Sequence, residues 1–260
     1  MAGGVGACSV SPSAAAEPPP IVWGDSGGSG DDAGTDAHAL GSDASACQPG
    51  DVSTWQAGNY RPAADPTDAC SAADVGDFYA KCIDGSSSSA ALCAAFKASH
   101  PACYACILTP DTAARYGPIV QHGDFATSNV AGCIELSAES ASAPDPSLLA
   151  CAQAVQALGG CELAACEANC PVTDPASFAS YEACTTAADQ GGCEAYESAA
   201  SCAEALQDGG AADAGALVEQ CLLPSFKDFY DHVVPRFCSA PPTGIDAGGP
   251  APSDAGAAGD

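Results

Sequence analysis

The chain has 260 residues, with 33 acidic side chains against 6 basic ones and a formal net charge of -27. Charge of that sign and size repels nucleic acid and anionic membrane surfaces, so neither is an expected partner. Aromatics make up only 6% of a chain whose apolar fraction is largely Ala, so a core would bury little area per residue, and at about 25 cal/mol per Å² that supplies modest stability.

Seventeen cysteines divide into one plus sixteen. Cys8 stands alone behind Val5-Gly6-Ala7. The string Val5-Gly6-Ala7-Cys8 resembles the lipobox of bacterial lipoproteins, which makes Cys8 the candidate for lipidation. The charged n-region and apolar h-region of a signal peptide do not precede it, so the expectation is a true start upstream of Met1. Residues 9–46 hold Pro18-Pro19-Pro20 and then Asp, Gly, Ser and Ala, without Lys or Arg. They read as a disordered acidic linker. Residues 239–260 have the same character and read as a disordered tail. No stretch approaches the ~18 consecutive apolar residues of a membrane span. Membrane association is therefore expected only through a lipid anchor.

The block 47–238 contains all six basic residues and sixteen cysteines: Cys47, Cys70, Cys82, Cys93, Cys103, Cys106, Cys133, Cys151, Cys161, Cys166, Cys170, Cys184, Cys193, Cys202, Cys221 and Cys238. An even set over an extended block reads as a disulfide framework built in an oxidising compartment. Each bridge contributes on the order of 2–4 kcal/mol, which offsets the poor core. The number of possible pairings is roughly two million, and spacing alone does not choose among them.

The expected fold is mainly α, with disulfide-stapled helical hairpins and irregular segments near 47–70 and 110–132. The block is one domain, divisible into halves at 47–140 and 141–238. Ser71-Ala-Ala-Asp74 has the form of a capping box. Val75, Phe78, Tyr79 and Cys82 then follow one helix face. A Ser-rich turn precedes a helix with Leu92, Cys93 and Phe96, and Pro101 opens a third through Cys103 and Cys106. Cys82 and Cys93 fall on or beside apolar faces, as inter-helix staples would. From 110 to 137, turns surround short extended segments, and Asn129 can cap a helix bearing Cys133, Ile134 and Leu136. Pro144–Leu158 and Pro175–Gln190 read as helices ended by Gly159-Gly160 and Gly191-Gly192, each followed by a Cys-Glu that starts the next helix. The last helix bears Leu217, Val218, Cys221 and Leu222 and leads to Phe226, Phe229, Tyr230, Val233 and Phe237, which read as core.

Several strings suggest chemistry. Gly24-Asp25-Ser26-Gly27-Gly28 matches the surroundings of a trypsin-like nucleophile and the G-x-S-x-G pattern. It lacks the strand and helix of a nucleophile elbow, and no His precedes it. Gly27 to Asp32 matches one calcium-binding nonapeptide, but in a single copy that lacks its packing residue. Cys103-Tyr-Ala-Cys106 has the spacing of a redox dithiol or half a metal site, and Cys166 and Cys170 could in principle complete four thiolates. Its place between helices, among framework cysteines, favours structural bridging. His100, His122 and His232 are isolated in sequence. Glu135 and Glu139 can share a helix face, which in so acidic a chain reads as a solvated surface.

Cys47-Gln-Pro-Gly-Asp-Val-Ser with Trp55, Cys103-x-x-Cys106-Ile107, Gly117-Pro-Ile-Val120, Asn129-Val-Ala-Gly-Cys133 and the run from Cys161 to Cys170-Pro together resemble a group of Ala- and Cys-rich secreted proteins or lipoproteins from high-GC soil bacteria, myxobacteria in particular. The resemblance spans most of 47–238. It implies export to an extracytoplasmic site, as an outer-membrane lipoprotein or a secreted protein, and carries no activity or functional residues. The expected function is a non-enzymatic cell-envelope or surface protein, structural or binding an envelope or extracellular partner, with no cofactor. The alternative is a thiol-redox or metal-handling protein centred on Cys103 and Cys106.

Overall fold

The computed structural model describes residues 21–22, 47–84, 87–123, 125–140, 145–173, 175–209, 218–223 and 225–239. Cys8, the Gly24–Gly28 string, the calcium-like repeat and nearly all of both terminal segments lie outside the described residues. The fold is mainly helical. In chain order the elements are β1 (Ile21–Val22), α1 (Ala72–Phe78) continued by a π-helical turn (Tyr79–Ile83), α2 (Ala90–Ser99), α3 (Pro101–Ile107), β2 (Leu108–Pro110), β3 (Ile119–His122), β4 (Phe125–Ser128), α4 (Val130–Ser140), α5 (Pro146–Cys166), α6 (Pro175–Asp189), α7 (Glu194–Ala200), α8 (Cys202–Gly209) and α9 (Phe226–Cys238).

Local signals set most helix starts. The Ser71–Asp74 capping box forms, with each side chain bonded to the other's backbone N–H. Ser89 caps α2 through the Leu92 N–H, Pro101 occupies the first turn of α3, and Ser225 caps α9 through the Asp228 N–H. Asn129 accepts from the Gly132 N–H at 2.9 Å and thereby caps α4. The segment near 110–132 is more ordered than an irregular connection. It supplies β3 and β4, an antiparallel hairpin turning at Gly123, whose φ of 55° is a left-handed conformation that suits glycine. β2 lies parallel to β3 and β1 antiparallel to β4, giving the order β1-β4-β3-β2. Ile21 and Val22, within the span read as linker, thus pair with Ala126 and Phe125.

Two corrections concern α5. The helix does not end at Gly159-Gly160; it runs unbroken to Cys166. Glycine in a helix interior costs roughly 1 kcal/mol, but tertiary contacts hold this one. Gly160 packs under Trp55, whose ring lies 3.2 Å from where a Cβ would sit. Cys151 and Cys161 tie the two ends of the helix to α8 and the start of α7. The second Gly-Gly behaves as its sequence suggests: α6 stops at Asp189, and Gly191-Gly192 lies in the turn before α7. There Val52 covers Gly192 closely enough to leave no room for a Cβ. α5 is also long and apolar enough to cross a membrane by length and composition, with a mean hydropathy of 1.3 over 18 residues, contrary to the reading of the sequence. Its apolarity comes from Ala, Leu, Val and Cys distributed around the helix. Three disulfides and packing against α4, α6 and α7 hold it to the rest of the domain, with 33% of that window buried.

The buried side chains form two clusters. The larger gathers α1 to α4, the start of α5 and α9, around Phe78, Phe96, Ile107, Ile119, Ile134, Phe229, Tyr230 and Phe237. Phe78 meets Phe96 edge-on at 5.5 Å and stacks on Tyr230 at 6.4 Å. The Tyr230 hydroxyl donates to the Val75 carbonyl at 2.8 Å, which satisfies its polar end inside the core. The aromatic run of α9 is therefore core. The smaller cluster gathers Val52, Phe125, the end of α5, α6 and the start of α7. Both clusters draw residues from either side of residue 140.

Candidate functional site

The sixteen cysteines from Cys47 to Cys238 form eight disulfides: Cys47–Cys170, Cys70–Cys103, Cys82–Cys93, Cys106–Cys238, Cys133–Cys221, Cys151–Cys202, Cys161–Cys193 and Cys166–Cys184. Such a framework persists in an oxidising, extracytoplasmic setting. Cys82–Cys93 staples the π-helical turn to α2. The Cys103-x-x-Cys106 pair is split. Cys103 bonds to Cys70 before α1, and Cys106 bonds to Cys238 at the end of α9. Each sulfur is committed to a different distant partner, so the pair does not exist as a dithiol in this structure. Cys166 and Cys170 do not join it; they bond to Cys184 and Cys47 in the smaller cluster. There the sulfurs of Cys47, Cys170 and Cys184 lie within 4.8 Å of one another. Two disulfides thus sit side by side.

The three histidines of the block sit in separate environments. His100 caps α2 and begins α3. Its Nε2 lies 3.3 Å from Asp74 Oδ1 and its Nδ1 lies 2.8 Å from Ser99 Oγ. This Ser–His–Asp adjacency is invisible in sequence except that Ser99 and His100 are neighbours. The Ser99 hydroxyl lies within hydrogen-bonding distance of the α2 carbonyls of Ala95 and Phe96 as well as of the imidazole. Asp74 is held below the usual carboxylate range by the backbone N–H and hydroxyl of Ser71. The array ties the start of α1 to the α2–α3 corner. His122, on β3, contacts Thr127 Oγ1 at 3.0 Å, and its Nδ1 is buried without a partner. Burial lowers its pKa and favours the neutral ring. His232 is exposed on α9, with Nδ1 2.8 Å from the Asp228 carbonyl.

The carboxylates divide differently from expectation. Glu139 is exposed, but Glu135 is 8% exposed and anchors the chain before α1. It accepts from the Tyr60 hydroxyl at 2.9 Å and from the Ala63 N–H. Burial, reinforced by Glu135, pushes the Tyr60 phenol up. Glu135 is a buried strut rather than part of a solvated surface. A contact between two carboxyl groups, buried Glu162 and half-buried Asp189, had no signal in the sequence. Asp189, at the end of α6, is hydrogen-bonded to Glu162 of α5, and burial raises its pKa while Glu162 opposes the rise. Arg236 is a further case. Its guanidinium reaches Ser137 Oγ at 3.1 Å and Cys133 Sγ at 3.5 Å, and burial lowers its pKa.

A cavity of about 630 Å³ opens between the start of α1 and the end of α9, lined by Cys70, Ser71, Ala72, Val75, Gly76, Asp231, Pro235 and Ser239. It gathers none of the histidines. Comparison with known proteins gives no match: no family model, curated protein or solved structure is significantly similar to this chain.

Proposed function

We propose that this is a non-enzymatic exported protein of the cell envelope or surface, structural or binding an envelope or extracellular partner, and related to the Ala- and Cys-rich proteins of high-GC soil bacteria that it resembles. The observation that carries this reading is the disulfide map: every cysteine from Cys47 to Cys238 is spent on a bridge, the CxxC pair included. The polar groups that could have served catalysis also act as caps, clamps and struts. Cys8, acylated, would anchor the domain through the residues that lead to Ile21, which pairs with Ala126; without acylation the protein is released.

Thiol titration of the exported protein, denatured without reductant, tests the reading. No thiol between 47 and 238 should react, and several reactive thiols there would overturn it. Metabolic fatty-acid labelling tests the anchor. Label should follow Cys8 and vanish in Cys8→Ser, whereas unlabelled, fully soluble protein would leave secretion as the route.

A further inference from the structure

We propose that Cys47–Cys170 and Cys166–Cys184 form one thiol–disulfide exchange site, which a dithiol reductant opens stoichiometrically. Among the described residues this is the place where sulfurs of two disulfides converge, with Cys47, Cys170 and Cys184 all within 4.8 Å of one another. The local fold produces the convergence. Cys166 ends α5, and Cys170 lies one turn further, its N–H donating to the Cys166 carbonyl at 2.8 Å. Residues four apart on a helical turn share a face, so both sulfurs are presented to Cys184 on α6. Access is graded. Cys47 is half-buried, whereas Cys170 is 4% exposed and Cys166 and Cys184 are fully buried. An external thiol therefore reaches Cys47 first.

The steps balance. A donor thiolate attacks Cys47 Sγ, the Cys47–Cys170 bond breaks, and Cys170 leaves as a thiolate. The donor's second thiol resolves the mixed disulfide, which releases Cys47 as a thiol and oxidises the donor to its own disulfide. The Cys170 thiolate attacks Cys184 Sγ, a Cys170–Cys184 bond forms, and Cys166 departs and takes up a proton. Two electrons and two protons pass from the donor to Cys47 and Cys166. The second exchange is almost free of chain-entropy cost. Cys166–Cys184 closes a separation of 18 residues, and the alternative is four shorter. With loop closure scaling as the three-halves power of length, the shorter loop is favoured by only about 1.5-fold. Remaking Cys47–Cys170 must instead bring back Cys47, whose sequence separation from Cys170 is 123 residues and which the other bridges tie only through a longer path than that joining Cys170 to Cys184. The exchange thus releases Cys47 and the chain before it from their covalent tie to α5 while α5 and α6 stay stapled.

The decisive variant is Cys47→Ala, which leaves Cys170 unpaired beside Cys166–Cys184. After incubation at mildly alkaline pH, alkylation and non-reducing peptide mapping should find the free thiol shared between Cys166 and Cys170 within a few-fold of equal. A free thiol confined to Cys170 would overturn the proposal. The wild-type protein gives a second measurement independent of that variant's folding. Limiting dithiothreitol, quenched by alkylation, should yield a Cys170–Cys184 peptide pair alongside alkylated Cys47 and Cys166. Loss of Cys47–Cys170 with Cys166–Cys184 left intact would count equally against it.

Discussion

Removing the Cys106–Cys238 bridge should cost more than removing Cys82–Cys93, by an amount set by the rest of the network. The two bridges span 132 and 11 residues. Taken singly, their loops would be worth about 5 and about 2.8 kcal/mol of unfolded-chain entropy. Cys106–Cys238 is not single, however. With it cut, Cys106 and Cys238 remain joined through Cys133–Cys221. That path is only about 45 residues long, which lowers the expected cost to roughly 4 kcal/mol. Cys82–Cys93 keeps its own short loop, since the detour through Cys70–Cys103 is longer. Replacing each pair by two alanines removes similar atoms, so the native-state costs largely cancel. The difference should therefore be about 1.2 kcal/mol, against about 2.2 if the bridges acted independently. Urea unfolding without reductant, followed by Trp fluorescence, measures it. Equal costs, or a larger cost for Cys82–Cys93, would refute the chain-entropy account.

Gly159→Ala should raise stability by up to about 1 kcal/mol, since a helix-interior glycine gains a better helix former and nothing lies within 4 Å of the new Cβ. Gly160→Ala should forfeit that gain against Trp55, and thermal unfolding of the pair would show the contrast. Gly117→Ala should destabilise by roughly 1–3 kcal/mol, because the new Cβ collides with the backbone carbonyl of Cys106; a silent substitution in urea unfolding would contradict the close approach of α3 and β3. Asp189 has its folded pKa raised above the ordinary 3.8. Its protonated form is therefore favoured by folding, and its contribution is fully present below the unfolded value and lost as pH rises through the folded one. Asp189→Asn should flatten that part of the stability–pH curve, whereas an unchanged slope would mean that the Glu162 contact offsets burial.

What was legible in the sequence was local. Ser71 with Asp74, Pro101, Asn129 and the second Gly-Gly announce helix ends because each acts on backbone groups within a few residues. The apolar spacing of Phe78, Phe229, Tyr230 and Phe237 marked the core for the same reason. What failed or stayed hidden was set by contacts distant in sequence. Gly159-Gly160 reads as a stop, but Trp55 and two disulfides keep α5 helical across it. Glu135 looks like surface charge until Tyr60 and Ala63 arrive from 75 and 72 residues away. The splitting of Cys103 from Cys106 depends on Cys70 and Cys238, which neither spacing nor motif brings together.

The disulfides also divide by cluster. Cys70–Cys103, Cys82–Cys93, Cys106–Cys238, Cys133–Cys221 and Cys151–Cys202 belong to the larger core, and Cys47–Cys170, Cys161–Cys193 and Cys166–Cys184 to the smaller. None crosses between them. What joins the two is α5, which places Leu148, Cys151 and Ala152 in one cluster and Cys161, Ala165 and Cys166 in the other, with Gly159-Gly160 at the junction. β4 adds a second tie through strand alternation, with Phe125 facing the smaller cluster and Ala126 the larger. Bridges confined to one cluster restrict the unfolded chain within it and do nothing to hold it against the other. The packing around α5 and β4 must therefore carry much of the attachment between two separately stapled cores, and Gly160 keeps α5 open at the junction for the Trp55 ring to seat against it.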